Sequence, residues 1–368
     1  MKISCEKYIL QNAINTAARA TANKSPIAAL EGLLIKADND VTITGYDLKK
    51  GIYTKIEADV SEQGATVVGA RLFSEMIRRM PDGIVTLTSD DKNNLKVKCG
   101  RSEYNIMGIS ATDYPELPQV DRKNSISLPG KILKSMINQT IFAVSNDDIR
   151  PIYTGTLFDI DADVLTLVAV DGYRLAKRQE KLENAKMENC SFIVPGSALN
   201  DIEKICDDSD EAVSITVGEK HISFEIGETV VVSRRLEGEF LNYRKTIPQQ
   251  FKYEIKIDKS EFAASIDRVS LIVNEKNSSP VRMIFNDGTI DCMCSTPMGK
   301  AEDVCTSEGD GAGLEIGFND RYVKDALRGA SKDELKICLN TANSPCIIKA
   351  ADDSENFTYM ILPVRLHA

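Results

Sequence analysis

Residues able to do covalent or metal chemistry are sparse in this chain of 368 residues, and their spacing argues against catalysis. His221 and His367 are the only histidines, which speaks against a histidine-based metal centre or a Ser-His-Asp site. Cys292 and Cys294 stand two apart in a strand-like run, so both thiols face the same side. A zinc pair usually needs two intervening residues and a second pair elsewhere, and the spacing reads as buried free thiols. "SCEK" from Ser4 has the form of a Ser-x-x-Lys nucleophile but lacks its companion motifs. "STPMGKA" around Gly299 lacks the earlier glycine and the following Ser or Thr of a phosphate-binding loop. "GDGAG" from Gly309 misses the dinucleotide pattern and reads as a flexible loop between strands. Asp207 and Asp208 fall in a polar turn and read as solvated. No catalytic residue, metal or cofactor is expected.

The other conspicuous stretch is the end, "FTYMILPVRLHA", apolar where chain ends are usually polar and frayed. It reads either as a last buried strand or as one wall of a site that another molecule fills. The elements that would position it come from the bulk of the chain. Its length predicts two or three domains, and 42% hydrophobic with 27% charged residues is a globular composition. No run of about eighteen apolar residues exists, and "MKISCEKYIL" has charges too early for a signal peptide. Nine cysteines without regular spacing fit reduced thiols, so a soluble protein of the cytoplasm is expected.

One plan recurs three times. "CEKYILQNAINTAARA" from Cys5, "GKILKSMINQTIFAVS" from Gly130 and "SEFAASIDRVSLIVN" from Ser260 have helical apolar spacing. Two strands follow each: "GLLIKADNDVTITGYD", "GTLFDIDADVLTLVAVD" and "VRMIFNDGTIDCMCST". A second helix and strand then appear in "ARLFSEMIRRMPDGIVTLT" from Ala70, "GSALNDIEKICDDSDEAVSIT" from Gly196 and "NDRYVKDALRGASKDELKICL" from Asn319. The unit is roughly 120 residues, an ordinary domain size. Polar, proline-bearing boundaries fall near Leu117 to Ser125 and Thr246 to Glu254, giving domains 1–120, 126–247 and 254–368.

The net charge is −10, which taken alone opposes a surface that embraces nucleic acid. The predicted helices depart from it. Windows 5–24, 71–80, 130–145 and 319–332 each carry +2, 197–206 carries −1 and 259–274 is neutral. The helices therefore total +7 and the remainder −17. Either the cations simply face water, or the helices gather on a surface facing a polyanion. Charge alone leaves both open.

"VAVDGYRLA" (Val168 to Ala176), "EGEFLNYRKTIP" (Glu237 to Pro248), "LEIGFNDRYVKDAL" (Leu314 to Leu327) and "YMILPVRL" resemble the bacterial DNA sliding clamp family, the β subunits of DNA polymerase III. The resemblance spans essentially the whole chain in order. It implies an α+β fold of three repeated clamp-fold domains, each two helices packed on antiparallel sheets. It also implies a ring-shaped head-to-tail homodimer that encircles double-stranded DNA without reading its sequence. The implied function is that of a processivity factor, not an enzyme, tethering replicative polymerase, clamp loader and repair proteins through a peptide-binding groove. Carried over by motif, the groove comprises Tyr153, Val170, Gly172, Tyr173, Arg174, Leu175, Leu241, Lys245, Thr246, Met360, Leu362, Pro363, Val364 and Arg365. An arginine inside an apolar strand also calls for a polar partner. DNA-facing residues would be Lys24, Arg71, Arg78, Arg79, Asn319 and Tyr322, and the dimer seam would join Tyr104 and Ile106 to Leu271 and Ile272. The sequence departs from the family at Tyr173, often His, at Thr246, often aliphatic, at Ser197, Lys in some relatives, and in a tail that runs on into His367 and Ala368. The alternative is a repeat-built interaction scaffold that never encloses DNA, with an enzyme of unknown type far behind.

Overall fold

All six expected helices form, and each buries an apolar stripe. The structure, a computed structural model, describes residues 1–121, 125–183, 189–273, 279–352 and 356–366. The first repeat opens with β1 (Lys2–Glu6), α1 (Lys7–Ala17), β2 (Gly32–Ala37), β3 (Val41–Tyr46) and β4 (Lys50–Ile56). It continues with β5 (Asp59–Glu62), β6 (Gly64–Gly69), α2 (Ala70–Arg79), β7 (Ile84–Ser89), β8 (Asn94–Cys99) and β9 (Ser102–Met107). The second runs through β10 (Ser125–Pro129), α3 (Gly130–Asn138), β11 (Gly155–Asp161), β12 (Val164–Val170) and β13 (Arg174–Lys181). Next come β14 (Cys190–Pro195), α4 (Gly196–Ile205), β15 (Ala212–Val217), β16 (His221–Ile226), β17 (Thr229–Arg234) and the one-turn α5 (Tyr243–Thr246). The third holds β18 (Tyr253–Asp258), α6 (Lys259–Val269), β19 (Val281–Thr296), β20 (Gly299–Phe318), α7 (Asp320–Gly329), β21 (Glu334–Leu339), β22 (Cys346–Ala350) and β23 (Phe357–Ile361).

The chain divides into two compact units, one built chiefly from Met1–Lys134 and Asn200–Arg235, the other chiefly from Ser135–Asn184, Glu188–Leu199 and Leu236–Ala368. In the first unit, a five-stranded sheet has the order β5-β1-β7-β8-β9 and an eight-stranded sheet the order β10-β15-β16-β17-β4-β3-β2-β6. The larger sheet crosses from repeat to repeat where β17 pairs antiparallel with β4, from Thr229 opposite Thr54 to Ser233 opposite Lys50. Leu10 and Ile14 of α1 and Phe73 and Ile77 of α2 pack between these sheets, fully buried with Ile3, Val85 and Ile43. The second unit is one ten-stranded sheet, β14-β11-β12-β13-β23-β22-β21-β18-β20-β19. It crosses from repeat to repeat where β13 pairs with β23, Arg174 opposite Ile361 through Arg178 opposite Phe357. Continuous sheets across repeat boundaries explain why the compact units do not follow the sequence period.

Several expectations need correction. The third repeat's strand pair is a single strand, β19, and "GDGAG" is not a loop but part of its partner β20. Between the pairs Phe285–Leu314 and Asp287–Asp310 one residue faces three, and again between Asp287–Asp310 and Thr289–Thr306. The excess is taken up by bulges on β20, where Gly309, Ala312 and Gly313 have positive φ. A Cβ on Gly311 would lie 2.4 Å from that of Phe285, so only glycine lets the strands stay together there. Cys5 belongs to β1, and α1 starts at Lys7. Helix α3 ends at Asn138, because the Thr140 hydroxyl donates back to the Met136 carbonyl (2.8 Å), and a short 3-10 turn at Ile141–Ala143 follows. Lys24 and Lys332 lie beyond α1 and α7.

The thiols of Cys292 and Cys294 are buried and free, as their spacing suggested. In the "SCEK" stretch, Ser4 shares a hydrogen bond with Thr86 (3.0 Å) and Lys7 pairs with Asp82 (3.1 Å). No helix among the described residues is long and apolar enough to cross a membrane. His367 and Ala368 lie outside the described residues.

Candidate functional site

The tight turn between β12 and β13 is Asp171-Gly172-Tyr173-Arg174. Gly172 has φ +96°, the positive value that the first central position of a type II′ turn requires, and Tyr173 follows with ordinary φ. One Asp171 oxygen accepts from the backbone N–H of Tyr173 (2.9 Å) and of Arg174 (3.0 Å). The other accepts from Nε of Arg174 (2.8 Å), whose Nη1 donates to Asp325 on α7 (2.6 Å). The guanidinium carbon lies 4.6 Å from the Tyr322 ring centre and 5.6 Å from that of Phe142. Arg174 is only 7% exposed, so its partners are the two carboxylates and two rings that sequence reasoning left unnamed. It braces the site from behind and is not an open cation of the wall.

An apolar cluster floors the region beside this turn. Val170, Leu175 and Met360 are buried in it, and Tyr153, Leu241 and Leu362 are packed against it partly exposed. Phe240, not anticipated, meets the Tyr153 ring edge-on at 5.5 Å, although it stands inside the quoted "EGEFLNYRKTIP" stretch. Asn242 caps α5 by accepting from the Lys245 N–H (3.3 Å), and the Thr246 hydroxyl donates to the Asn242 carbonyl (3.0 Å). Lys245 is left exposed. The Tyr243 hydroxyl donates to Asp159 (2.7 Å), Arg244 reaches the same carboxylate (3.0 Å), and burial raises the Tyr243 phenol above its usual range.

The apolar tail is strand first and wall second. β23 lies between β13 and β22, and beyond it the Leu362 N–H donates to the Tyr173 carbonyl (2.9 Å). Val364 pairs with Gly317, and Val364 and Arg365 are exposed beside the half-buried Pro363. The result is an apolar floor with an exposed cation at each of Lys245 and Arg365 and an exposed aromatic at Tyr173.

Tyr322 sits at the same place. Its ring stacks on that of Tyr173 with centroids 6.4 Å apart, and burial raises its phenol. Asn319 is the N-cap of α7, accepting from the N–H of Arg321 (3.0 Å) and Tyr322 (3.4 Å). Both side chains are half-exposed. Arg71, Arg78 and Arg79 are exposed on the face of α2 opposite its buried Phe73, Met76 and Ile77. Glu75 accepts from Arg78 (2.7 Å) and also pairs with Arg79 (3.2 Å), which holds its carboxyl below the ordinary value. Lys24 is exposed in the loop after α1. Of the seam residues, Tyr104 on β9 is exposed and Ile106 is partly covered by its own core. Leu271 is 82% exposed in the turn closing α6, and Ile272 packs against its own core. Met107 on β9, 84% exposed, was not anticipated.

A triplicated α+β fold that sets an apolar cluster beside exposed Tyr173, Lys245 and Arg365 has the make-up of a binding protein. The family profiles describing the N-terminal, central and C-terminal domains of the DNA polymerase III beta subunit match residues 1–118, 127–242 and 244–365. The beta sliding clamp of Staphylococcus epidermidis is 31% identical, with both chains covered in full. The DNA polymerase sliding clamp of Bacillus subtilis superposes with a TM-score of 0.94 at 30% identity, also over the whole of both chains. The beta subunit from the DNA polymerase of Streptococcus pyogenes gives 0.93 at 25% identity, again over the whole of both. The chain belongs to the DNA polymerase III beta subunit family, the sliding clamps. Members of this family are non-catalytic processivity factors, and the scaffold alternative is not favoured.

Proposed function

We propose that this chain, a DNA polymerase processivity factor by family, closes head to tail with a second copy around duplex DNA and tethers replication and repair proteins through the groove. The carrying observation is a repeated strand junction. β9, β17 and β23 close their respective repeats, while β4 and β13 follow the first two strands of theirs and the first half of β20 follows the single long strand β19. β17 pairs with β4, and β23 with β13. The same rule applied a third time matches β9 with Gly299–Thr306 of β20 in another copy. β9 ends its sheet, and among the described residues the one ladder pair between β20 and β18 is Lys256 with Glu308, which leaves Gly299–Thr306 without a strand partner on that side, although the Thr306 N–H is taken by Glu261. Exposed apolar side chains flank the two edges, Met107 and Tyr104 on one, Leu271, Met298 and Val304 on the other. Burying them would hold a ring shut.

The groove is read as Tyr153, Tyr173, Leu241, Lys245, Thr246, Leu362, Pro363, Val364 and Arg365 over a floor of Val170, Leu175 and Met360, with Tyr322 joining its rim. Such a surface suits an extended peptide with apolar anchors and a polar or acidic residue. Arg71, Arg78, Arg79 and Lys24 are read as phosphate contacts. The domain bounds 1–120, 126–247 and 254–368 and a cytoplasmic location complete the reading, the latter supported by nine free cysteines.

Retention on DNA after loading by a clamp loader tests it. Protein loaded on a nicked circle should stay bound and be lost once the circle is linearised. Equal retention on circle and linear DNA would contradict encirclement.

A further inference from the structure

The Asp325 carboxylate is shared between two kinds of arginine. Buried Arg174 holds it at 2.6 Å from the groove turn. Arg328 (3.5 Å) and Arg321 (4.0 Å) reach it from one turn either side along α7, and their side chains are 78% and 73% exposed. Spacing of three and four residues puts all three α7 groups on one helix face. Arg174 and the more distant Arg321 address one oxygen and Arg328 the other, so three cations share one carboxylate that is itself only 16% exposed.

The competitors are unequal. Arg321 and Arg328 can swing to a phosphate at little desolvation cost, whereas Arg174 is fixed between the Phe142 and Tyr322 rings and by its second carboxylate, Asp171. A polyanion lying on α7 would draw the exposed pair away and leave Asp325 to Arg174 alone. The Asp171–Arg174 turn would then be held more firmly, and with it the Tyr173 ring and the Tyr173 carbonyl that anchors the Leu362 N–H. A wall already ordered costs less to order when a peptide binds.

We infer that Asp325 is a positioning residue through which duplex DNA on α7 tightens the peptide groove. The inference rests on the groove reading above and on extending the DNA reading to α7, whose Arg321 and Arg328 are as exposed as Arg78 and Arg79 of α2. Because coupling is reciprocal, an occupied groove strengthens the hold on duplex by the same factor.

The test is the anisotropy of a fluorescein-labelled acidic peptide bearing leucine and phenylalanine anchors, titrated with the full-length protein at low salt, with and without a linear duplex of about 30 base pairs. Wild type should bind the peptide roughly fivefold more tightly with duplex. Asp325→Asn should bind it equally with and without duplex. Arg321→Gln with Arg328→Gln, two exposed changes that leave the buried pair intact, should show the tighter affinity even without duplex. A wild-type ratio of one, or a ratio preserved in Asp325→Asn, overturns the inference while leaving the groove intact. Failure of wild type to bind the peptide under either condition overturns the groove reading, and failure to bind the duplex overturns the DNA reading; the inference falls with either.

Discussion

The rings of Tyr173 and Tyr322 stack, 6.4 Å between centroids and 21° from parallel, joining the β12–β13 turn to helix α7. With the Arg174–Asp325 pair beneath them, they make one side of the groove a braced surface. The other side is the chain's own tail, fixed to the same turn through Leu362 and to β20 through Val364. The proposed groove, built this way, needs little reorganisation to receive a ligand, which favours affinity from few contacts.

Leu362 and Arg365 can be removed without touching that bracing. Leu362→Ala with Arg365→Ala should weaken peptide binding by about tenfold or more, near 1.4 kcal/mol. Far-ultraviolet dichroism and melting temperature should stay close to wild type. Unchanged affinity in fluorescence titration would mean the groove is misassigned.

Arg78 and Arg79 spend their charge on Glu75 in the free protein, an exposed arrangement that phosphates can replace at little cost. Reversing both to Glu should reduce loading on circular DNA and flatten the salt dependence of duplex binding. Groove affinity measured without DNA should be unaffected.

The two edges assigned to the seam carry Met107 and Leu271, both more than four-fifths exposed. Met107→Glu with Leu271→Glu should yield a monomer in sedimentation velocity, with unfolding little changed because neither side chain is in a core. A dimer that persists would remove the seam.

Lys50, 8% exposed, is paired with Asp201 of α4, and Arg19 lies 3.7 Å from the same carboxylate. Asp201→Ala strands a buried ammonium and should cost on the order of 3 kcal/mol in chemical denaturation. Adding Lys50→Met should return much of that loss, since the unpaired charge disappears with it.

Acid should loosen the contacts of α6 with β20. Glu261 accepts from the Thr306 hydroxyl (2.6 Å) and backbone N–H (2.8 Å), and Asp303 accepts from Arg268; both carboxyls are held below their ordinary values. A depressed folded-state value stabilises above the ordinary carboxylate range, near 4, and that contribution is lost as pH falls through the folded value. The melting temperature should therefore drop below about pH 4, and Glu261→Gln with Asp303→Asn should make the decline shallower. Identical pH profiles would show that these two carboxylates contribute nothing.

Periodicity located all six helices, because each must present an apolar face to a sheet at a fixed spacing. It failed where the deciding contact is distant or where glycine acts by its missing Cβ. "NDG" at Asn286 reads as a hairpin turn, yet the facing glycines of β20 absorb extra residues as bulges and the strand runs on. Arg174 signalled that it wanted a polar partner, but nothing in the sequence points to Asp325, 151 positions away. Nothing in the sequence brings Tyr322 onto Tyr173 either, since only tertiary packing stacks the two rings. Edge exposure at Met107 was likewise illegible, since which strand ends a sheet is set by the whole topology.

Encirclement by a two-copy ring is most directly tested by negative-stain electron microscopy of the purified protein at micromolar concentration. The account predicts closed, six-lobed rings with a central hole wide enough for a duplex. Single rods, or crescents that stay open, would contradict it.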